Sequence, residues 1–503
     1  MNAVMKPSNA IGAAFERMAA NTRALGQTSA EERIAKIQKL LKATLEARPA
    51  IHEAVRKELG LCDTDIDAQL LMVKSEAEFI SKHLKTWMQP ARVKGSIMTL
   101  GKKSYIRYEP KGMVLNLATW NAPFAIGFVP AMGALAAGNA VILKPSELAP
   151  HSAKVIADIV RQVYSPDEFT VFEGGPETAQ ELLGLPFNHI FYIGGHQVGR
   201  LVMKAAAEHF ASITLEMGGK NPTIIDKSAD IEDAARKITW GRLSNAGQVC
   251  IAPDYAMVHE SVVTPFIDAL KRSMTAMYNA DGAGFDKSKE YPRIINNRHY
   301  ERVKDLIDDA RAKGASVVFG GEGKAAERYI APTIVTKVSD DMKIMREEIF
   351  GPVIAVVPFK DPEEVVRTVK SRPKPLALYI YAKDRPAIDF FLANTTSGST
   401  VVNHNMIQSG TNPWLPFGGV NQSGIGRIGG WTTFTETSNW RAIVEEGPPL
   451  DKNPNAFFPP YTEKYKKMAA GMFSRPIVMP EGLIKAINGV VKVSSKLKGY
   501  KQP

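Results

Sequence analysis

Polar and apolar positions divide the chain into stretches of different period. From Ile11 to Trp87 the composition is rich in Ala, Lys, Glu and Leu. Apolar residues such as Ile34, Ile37, Leu40, Leu41 and Leu45 recur there at the spacing of one helix face, which predicts helices packed around a later sheet. Ile97 to Pro110 sets Met98, Leu100, Tyr105 and Tyr108 among polar residues and predicts a strand pair turning at an exposed Lys102–Lys103. From Gly112 the period switches back and forth: Met113–Leu117, Ala125–Ala137, Ala140–Leu143, Ser152–Val163 and Thr170–Phe172 read as strand, helix, strand, helix, strand. This alternation predicts an α/β fold built on a parallel sheet, where ligands bind beyond the carboxyl ends of the strands. Asn121 and Lys144 each follow such a strand. Taken singly, they would be a turn residue and a solvated charge. The strand Ile190–Ile193 runs into Gly194, Gly195 and a helix, a place suited to a phosphate on a helix N-terminus. A second alternating region runs from Tyr255 to about Leu392, with strands such as Tyr255–Val258 and Val317–Phe319. Ser399–Asn403 is one more strand candidate, small and β-branched, before a Gly-, Asn- and Pro-rich stretch reaching Gly430.

Length and composition then set limits. With 503 residues and 45% apolar content, the chain can fill two or three domain cores. Its two cysteines, Cys62 and Cys250, stand far apart, so neither a disulfide framework nor a metal cluster is expected, and a reducing cytoplasm fits best. No apolar run approaches the ~20 residues that span a bilayer. The net charge of +11 is uneven: nine Lys or Arg and two Glu from Tyr461 to Pro503 put +7 in the tail and leave +4 for the first 460 residues. No nucleic-acid partner is expected from that distribution, because no basic reading module accompanies it.

Chemistry concentrates between Leu215 and Cys250. The stretch opens with Leu215-Glu216-Met217-Gly218-Gly219-Lys220-Asn221-Pro222 and closes with Asn245-Ala246-Gly247-Gln248-Val249-Cys250. A thiolate can attack an electrophilic carbon and a carboxylate can draw a proton from water, which together support a covalent acyl-enzyme cycle. Both strings resemble those of the aldehyde dehydrogenase superfamily, with Met217 a conservative departure. Further segments of that family occur in order: Thr119-Trp120-Asn121-Ala122-Pro123-Phe124, Leu143-Lys144-Pro145-Ser146-Glu147, Glu347-Glu348-Ile349-Phe350-Gly351-Pro352, and Pro416-Phe417-Gly418-Gly419-Val420 with Ser423-Gly424-Ile425-Gly426. The resemblance covers roughly residues 10 to 445, and the short N-terminal region and Phe-Gly-Gly-Val form point to the class 3 branch of fatty and aromatic aldehyde dehydrogenases.

The resemblance implies a parallel-sheet NAD(P)-binding domain (1–96 and 111–213), an α/β catalytic domain (214–397) and a small β oligomerisation arm (97–110 and 398–445) in which the Ser399–Asn403 strand joins the early hairpin. It implies NAD(P)-dependent oxidation of an aldehyde to the acid by a homodimer. Cys250 would be the nucleophile, Glu216 the base and Asn121 an oxyanion donor. Lys144 and Glu147 would meet the adenosine ribose, and Glu348 and Phe350 the nicotinamide ribose. Trp120, Ser146, Gly194, Gly195, Gly199, Met217 and Gly218 would complete the cofactor path. The family's hydroxyls around the first glycine of its Gly-x-x-x-x-Gly turn are replaced here by Ile193 and Gly195. Ala122 stands where the family usually carries a ring, which implies a widened tunnel and a bulky, aromatic or long-chain aldehyde, with Met406 and Trp414 either at its mouth or simply packed. A coenzyme A-acylating enzyme and a non-catalytic binding protein on the same scaffold remain as alternatives.

The last stretch, 446–503, is a basic tail. Leu483, Ile484, Ile487, Val490, Val491 and Leu497 recur at helical spacing among Lys485, Lys492, Lys496, Lys498 and Lys501, an amphipathic pattern too short and too charged to span a membrane. Peripheral contact with anionic lipid, contact with a partner subunit and a frayed end are the alternatives it leaves open.

Overall fold

The computed structural model describes residues 9–96, 99, 102–408, 412–446 and 459–474. It divides into two units, Met1–Lys82 with Lys111–Thr437 and His83–Pro110 with Ser438–Pro503.

The larger unit holds two sheets. The first runs in the order Gly424–Ile425, Ser212–Met217, His189–Gly194, Met113–Leu117, Ala140–Lys144, Phe169–Val171. All its neighbours are parallel except the edge strand Gly424–Ile425, which lies antiparallel to Ser212–Met217. Met113–Leu117 and Ala140–Lys144 bury every residue, which is why they read as continuous apolar runs without alternation. The second sheet runs Ser316–Phe319, Thr333–Thr336, Val353–Phe359, Tyr255–His259, Pro222–Ile225, Ala377–Tyr381, Ser399–Val402. Only its first pair is antiparallel. Among the N-terminal helices, Ile37, Leu40 and Leu41 are buried as their spacing predicts, whereas Leu45 is exposed.

One helix shows how local chemistry serves the later site. Pro123–Ala137 begins directly after Asn121 and Ala122, with Pro at its first position and Gly138 closing it at φ 93°. Pro130 inside it brings no N–H and leaves the carbonyl four residues back without its usual donor. The buried Asn116 amide fills that gap by donating to Ile126 O at 3.3 Å and Gly127 O at 3.0 Å. This helix, buried on nearly all sides, starts two residues after Asn121.

The smaller unit is a three-stranded antiparallel sheet of Ala91–Arg92, Lys102–Pro110 and Ser438–Glu446, with a helix at Glu463–Phe473. Here two expectations are corrected. Lys102 and Lys103 begin a strand and are not a turn, and the partner of that strand is Ser438–Glu446, not Ser399–Asn403. Opposite charges support one end of the pairing, where Lys102 faces Glu446 at 3.3 Å and Lys103 is opposite Glu445, while Arg441, set across from Arg107, reaches Glu109 at 3.1 Å. Ser399–Val402 instead continues the second sheet, parallel to Ala377–Tyr381. The amphipathic stretch from Leu483 to Lys501 lies outside the described residues. No helix among the described residues is long and apolar enough to cross a membrane.

Candidate active site

The segment before Cys250 is a single tight turn, Ser244–Gly247, with left-handed backbone inside it, and it is held firmly. Asn245, Ala246 and Gly247 take φ of 49°, 50° and 73° in succession. A left-handed conformation costs an ordinary L-residue about 1–2 kcal/mol, so Ala246 keeps it only because its surroundings enforce it. Buried side chains do the enforcing. Gln248 donates to Asn245 O at 2.9 Å and Arg293 O at 3.0 Å, and accepts from Ile295 N at 3.0 Å. Arg242 reaches Gly247 O at 2.7 Å and Pro253 O at 2.9 Å. Asn221 donates to Cys250 O at 2.8 Å and Ala252 O at 3.0 Å while accepting from Ala377 N at 2.9 Å. Of these clamps, Gln248 and Asn221 stood in the motif strings without a role, and Arg242 was not singled out at all.

Cys250 shares one cavity, of about 220 Å³, with Glu216, Asn121, Trp120, Gly194, Gly195, Gly218, Glu348 and Phe350. Glu216 sits near the end of Ser212–Met217, paired with Gly424 across the sheet edge. Its carboxyl is buried, and neither oxygen has a hydrogen-bond partner in the protein. Burial raises its pKa well above the usual carboxylate range, with Arg427 opposing. Burial, then the negative charges of Glu348 and Glu216, push the Cys250 thiol up to about 12. Burial followed by Asp254 raises Glu348 to about 8. Three acidic groups, each with its proton held more tightly than usual, thus share one small space. Asn121 spends one side-chain amide hydrogen on Gln248 O at 3.1 Å, which leaves the other for the cavity, and its backbone carbonyl accepts from the Asn245 side chain at 2.9 Å.

His299 and Arg302, one turn apart on the helix Asn297–Ala312, also line the cavity and were missed in the sequence. Burial, then Arg302 and Arg298, lower His299 to about 4, so it is neutral, and its ring lies 5.4 Å from that of Trp120. Arg302 donates to Glu348 O at 3.1 Å and Ile349 O at 2.6 Å and so fixes the Glu348 segment. Asn296 caps that helix by accepting from His299 N at 2.9 Å, which places the helix but does not mark the site.

The remaining expected cofactor residues lie away from that cavity. Lys144 is buried and donates to Glu147 at 2.9 Å and Pro145 O at 3.1 Å, while Ser146 accepts from Leu148 N at 3.3 Å. Gly199 and Met217 face each other: a Cβ on Gly199 would lie 2.6 Å from Met217 Sδ, so this pair packs a helix on a sheet. Gly195 is different, since nothing stands within 4 Å of its would-be Cβ. It caps the helix His196–Glu208, whose first N–H groups receive no side-chain cap. Open space before free N–H donors fits a pyrophosphate. Gly218 lets the Glu348 carboxylate lie directly across it. On the other side of Asn121, Ala122 is half-buried and brings no ring. Met406 and Phe417 pack on the same core as Cys250, whereas the exposed Trp414 stands edge-on to Phe79 at 4.8 Å.

The family model described as "Aldehyde dehydrogenase family" matches residues 4–443. The chain is 38% identical to aldehyde dehydrogenase family 3 member A2 of Pongo abelii, over 82% of this chain and 83% of the relative. It is 37% identical to 4,4'-diaponeurosporen-aldehyde dehydrogenase of Staphylococcus aureus (strain NCTC 8325 / PS 47), over 86% and 93%. A solved substrate-bound state of Staphylococcus aureus AldH superposes with a TM-score of 0.87 at 36% identity, covering 92% of this chain and all of that one. Sequence, fold and the residues gathered around Cys250 agree, and the chain belongs to the aldehyde dehydrogenase family, on its class 3 branch, as an aldehyde-oxidising enzyme.

Proposed function

We propose that Cys250 is the nucleophile, Glu216 the base and Asn121 an oxyanion donor in the oxidation of a bulky, aromatic or long-chain aldehyde to its carboxylic acid. The observation that carries this is the meeting of the three side chains on one cavity, with the Glu216 carboxyl buried there and unbonded. The Cys250 thiol passes its proton to a water molecule as the sulfur attacks the carbonyl carbon, and the carbonyl electron pair moves to oxygen. The free N–H of Asn121 donates to that oxyanion from a buried position, where such a donor is worth more than in bulk water. NAD(P), when bound, supplies the hydride acceptor that turns the thiohemiacetal into a thioester. Glu216, once ionised, takes a proton from water so that the hydroxide adds to the thioester carbon and Cys250 departs as thiolate.

Aldehyde dehydrogenases use NAD(P), and the chain's residues divide the work of holding it. The open N-terminus at Gly195 would take the pyrophosphate, Lys144 and Glu147 the adenosine ribose, and Glu348 and Phe350 the nicotinamide ribose. A carboxylate at the adenosine 2'-hydroxyl repels a 2'-phosphate, which favours NAD over NADP. Assembly as a homodimer fits the exposed Val198, Leu201 and Met203 on one helix.

Absorbance of the reduced cofactor, followed with a panel of aldehydes with and without coenzyme A, tests the function. Turnover without coenzyme A is expected, and turnover only with it would make the enzyme an acylating one. Substrate size is tested by Ala122→Tyr. Adding a ring beside Asn121 should lower kcat/KM for a large aldehyde relative to acetaldehyde by about tenfold or more. Unchanged relative rates would remove Ala122 from the tunnel. The Staphylococcus aureus relative, named for 4,4'-diaponeurosporen-aldehyde, supports the preference for size.

A further inference from the structure

The chain after Phe417 closes into a small hairpin over the strand that carries Glu216. Phe417 and Ile428 exchange N–H···O bonds of 2.9 and 2.8 Å, and Met217 N donates to Ser423 O at 3.0 Å. Arg427 is half-buried in this hairpin and clasps it, donating to Gly426 O at 2.7 Å and to Gly419 O. Gly418 shows how close it comes to Glu216. A Cβ on Gly418 would stand 2.5 Å from Glu216 Oε1 and 2.6 Å from Arg427 Cδ, so both side chains flank one empty methyl position. Arg427 makes no hydrogen bond to the Glu216 carboxyl, whose two oxygens are unpartnered. It acts on that carboxyl through charge.

The other charged groups around Glu216 do not offer the same help. Cys250 and Glu348 on the shared cavity are themselves acids, and the cavity's Arg302 is committed to the carbonyls of the Glu348 segment. His299 is neutral. Behind Arg427, the Glu436 carboxyl accepts from the Arg427 backbone N–H, and Lys111 stands beside Glu436.

We infer that Arg427 is a positioning residue: its cation, clasped by the hairpin beside Gly418, is what lets the buried Glu216 ionise, and so it sets the pH range in which the thioester is hydrolysed. This rests on Glu216 being the base. A nearby opposite charge favours the ionised carboxylate, typically by about one pH unit or more.

The test is the pH dependence of steady turnover at saturating aldehyde and NAD for the wild type, Arg427→Gln, Arg427→Lys and Glu216→Gln, each normalised to its burst of reduced cofactor. The burst counts folded, acylatable sites, so a partly unfolded preparation is still read per site. Arg427→Gln should move the acidic limb of turnover up by about one pH unit, a roughly tenfold loss on that limb that recovers at high pH. Arg427→Lys keeps the charge and should keep the limb near the wild-type position, and this comparison decides if the Gln variant shows no burst. A wild-type limb in Arg427→Gln, or a limb displaced in Arg427→Lys as far as in Gln, overturns the inference. Steady, unstalled turnover by Glu216→Gln would instead remove the base itself. A stalled Glu216→Gln beside an unmoved Arg427→Gln limb defeats the Arg427 role alone.

Discussion

Cys250→Ala should abolish dehydrogenase turnover, with a fall in kcat/KM of at least about 10⁴-fold, more than 5 kcal/mol of transition-state stabilisation at 1.36 kcal/mol per decade. Alanine removes the sulfur proposed to form the thiohemiacetal, and no other side chain that lines the cavity is a comparable nucleophile. Burial raises the carboxyls of Glu216 and Glu348 above the usual range, and burial with Arg302 and Arg298 beside it keeps His299 neutral. The loop itself should survive, because Asn221, Gln248 and Arg242 hold its backbone carbonyls and the helix packed before it, not the thiol. The variant should therefore melt near the wild type and still bind NAD. Steady reduction of NAD by this protein would end the assignment of Cys250. Cys62→Ala is the contrasting control, since Cys62 is separated from the cavity and lines no part of it.

Glu216→Gln should behave differently in time. Acylation continues, so about one equivalent of reduced cofactor appears per site, and turnover then slows by about 10²–10⁴-fold as the thioester waits for a base. The amide is a close isostere of the protonated carboxyl that burial favours, so the fold has little reason to notice it. Rapid mixing should resolve the burst, and mass spectrometry should find the acyl group on Cys250. In the wild type the hydrolytic step needs Glu216 ionised. Because its carboxyl is raised, that step is suppressed at acid pH and strengthens as pH rises through the folded-state value. A multiple-turnover trace for Glu216→Gln indistinguishable from wild type would rule out the base.

The motif strings placed Cys250, Glu216 and Asn121 because each is a short run whose residue types carry the chemistry, and the alternation from Gly112 onward exposed the parallel sheets. Other features were out of reach for physical reasons. The family resemblance puts Ser399–Asn403 in the arm, and its small, β-branched residues could not correct that, because they announce a strand but not its partner. Lys102–Lys103 resembled an exposed turn because the acids that neutralise the pair, Glu445 and Glu446, lie some 340 residues later. His299 and Arg302 reach the site from a helix whose apolar stripe at Tyr300, Val303, Leu306 and Ile307 accounts for its burial without them. Gly199 and Met217 share their strings with ligand-facing neighbours, and only the side each takes of the strand and helix separates packing from contact.

The loop ahead of Cys250 carries one further consequence, visible in hydrogen exchange. Irregular segments usually trade their amide protons for deuterium within seconds to minutes, because local openings cost little. Here the amides of Gln248, Ala252 and Asp254 are bonded within the loop or to Asn221 O, all at 3.0 Å, and the buried clamps leave the backbone no small opening that avoids breaking several of them together. These three protons should exchange as slowly as those of the strand Tyr255–His259 beside them, behaving as core although they form no regular structure. Rapid exchange there, against slow exchange in the strand, would mean that the nucleophile is presented by a moving loop.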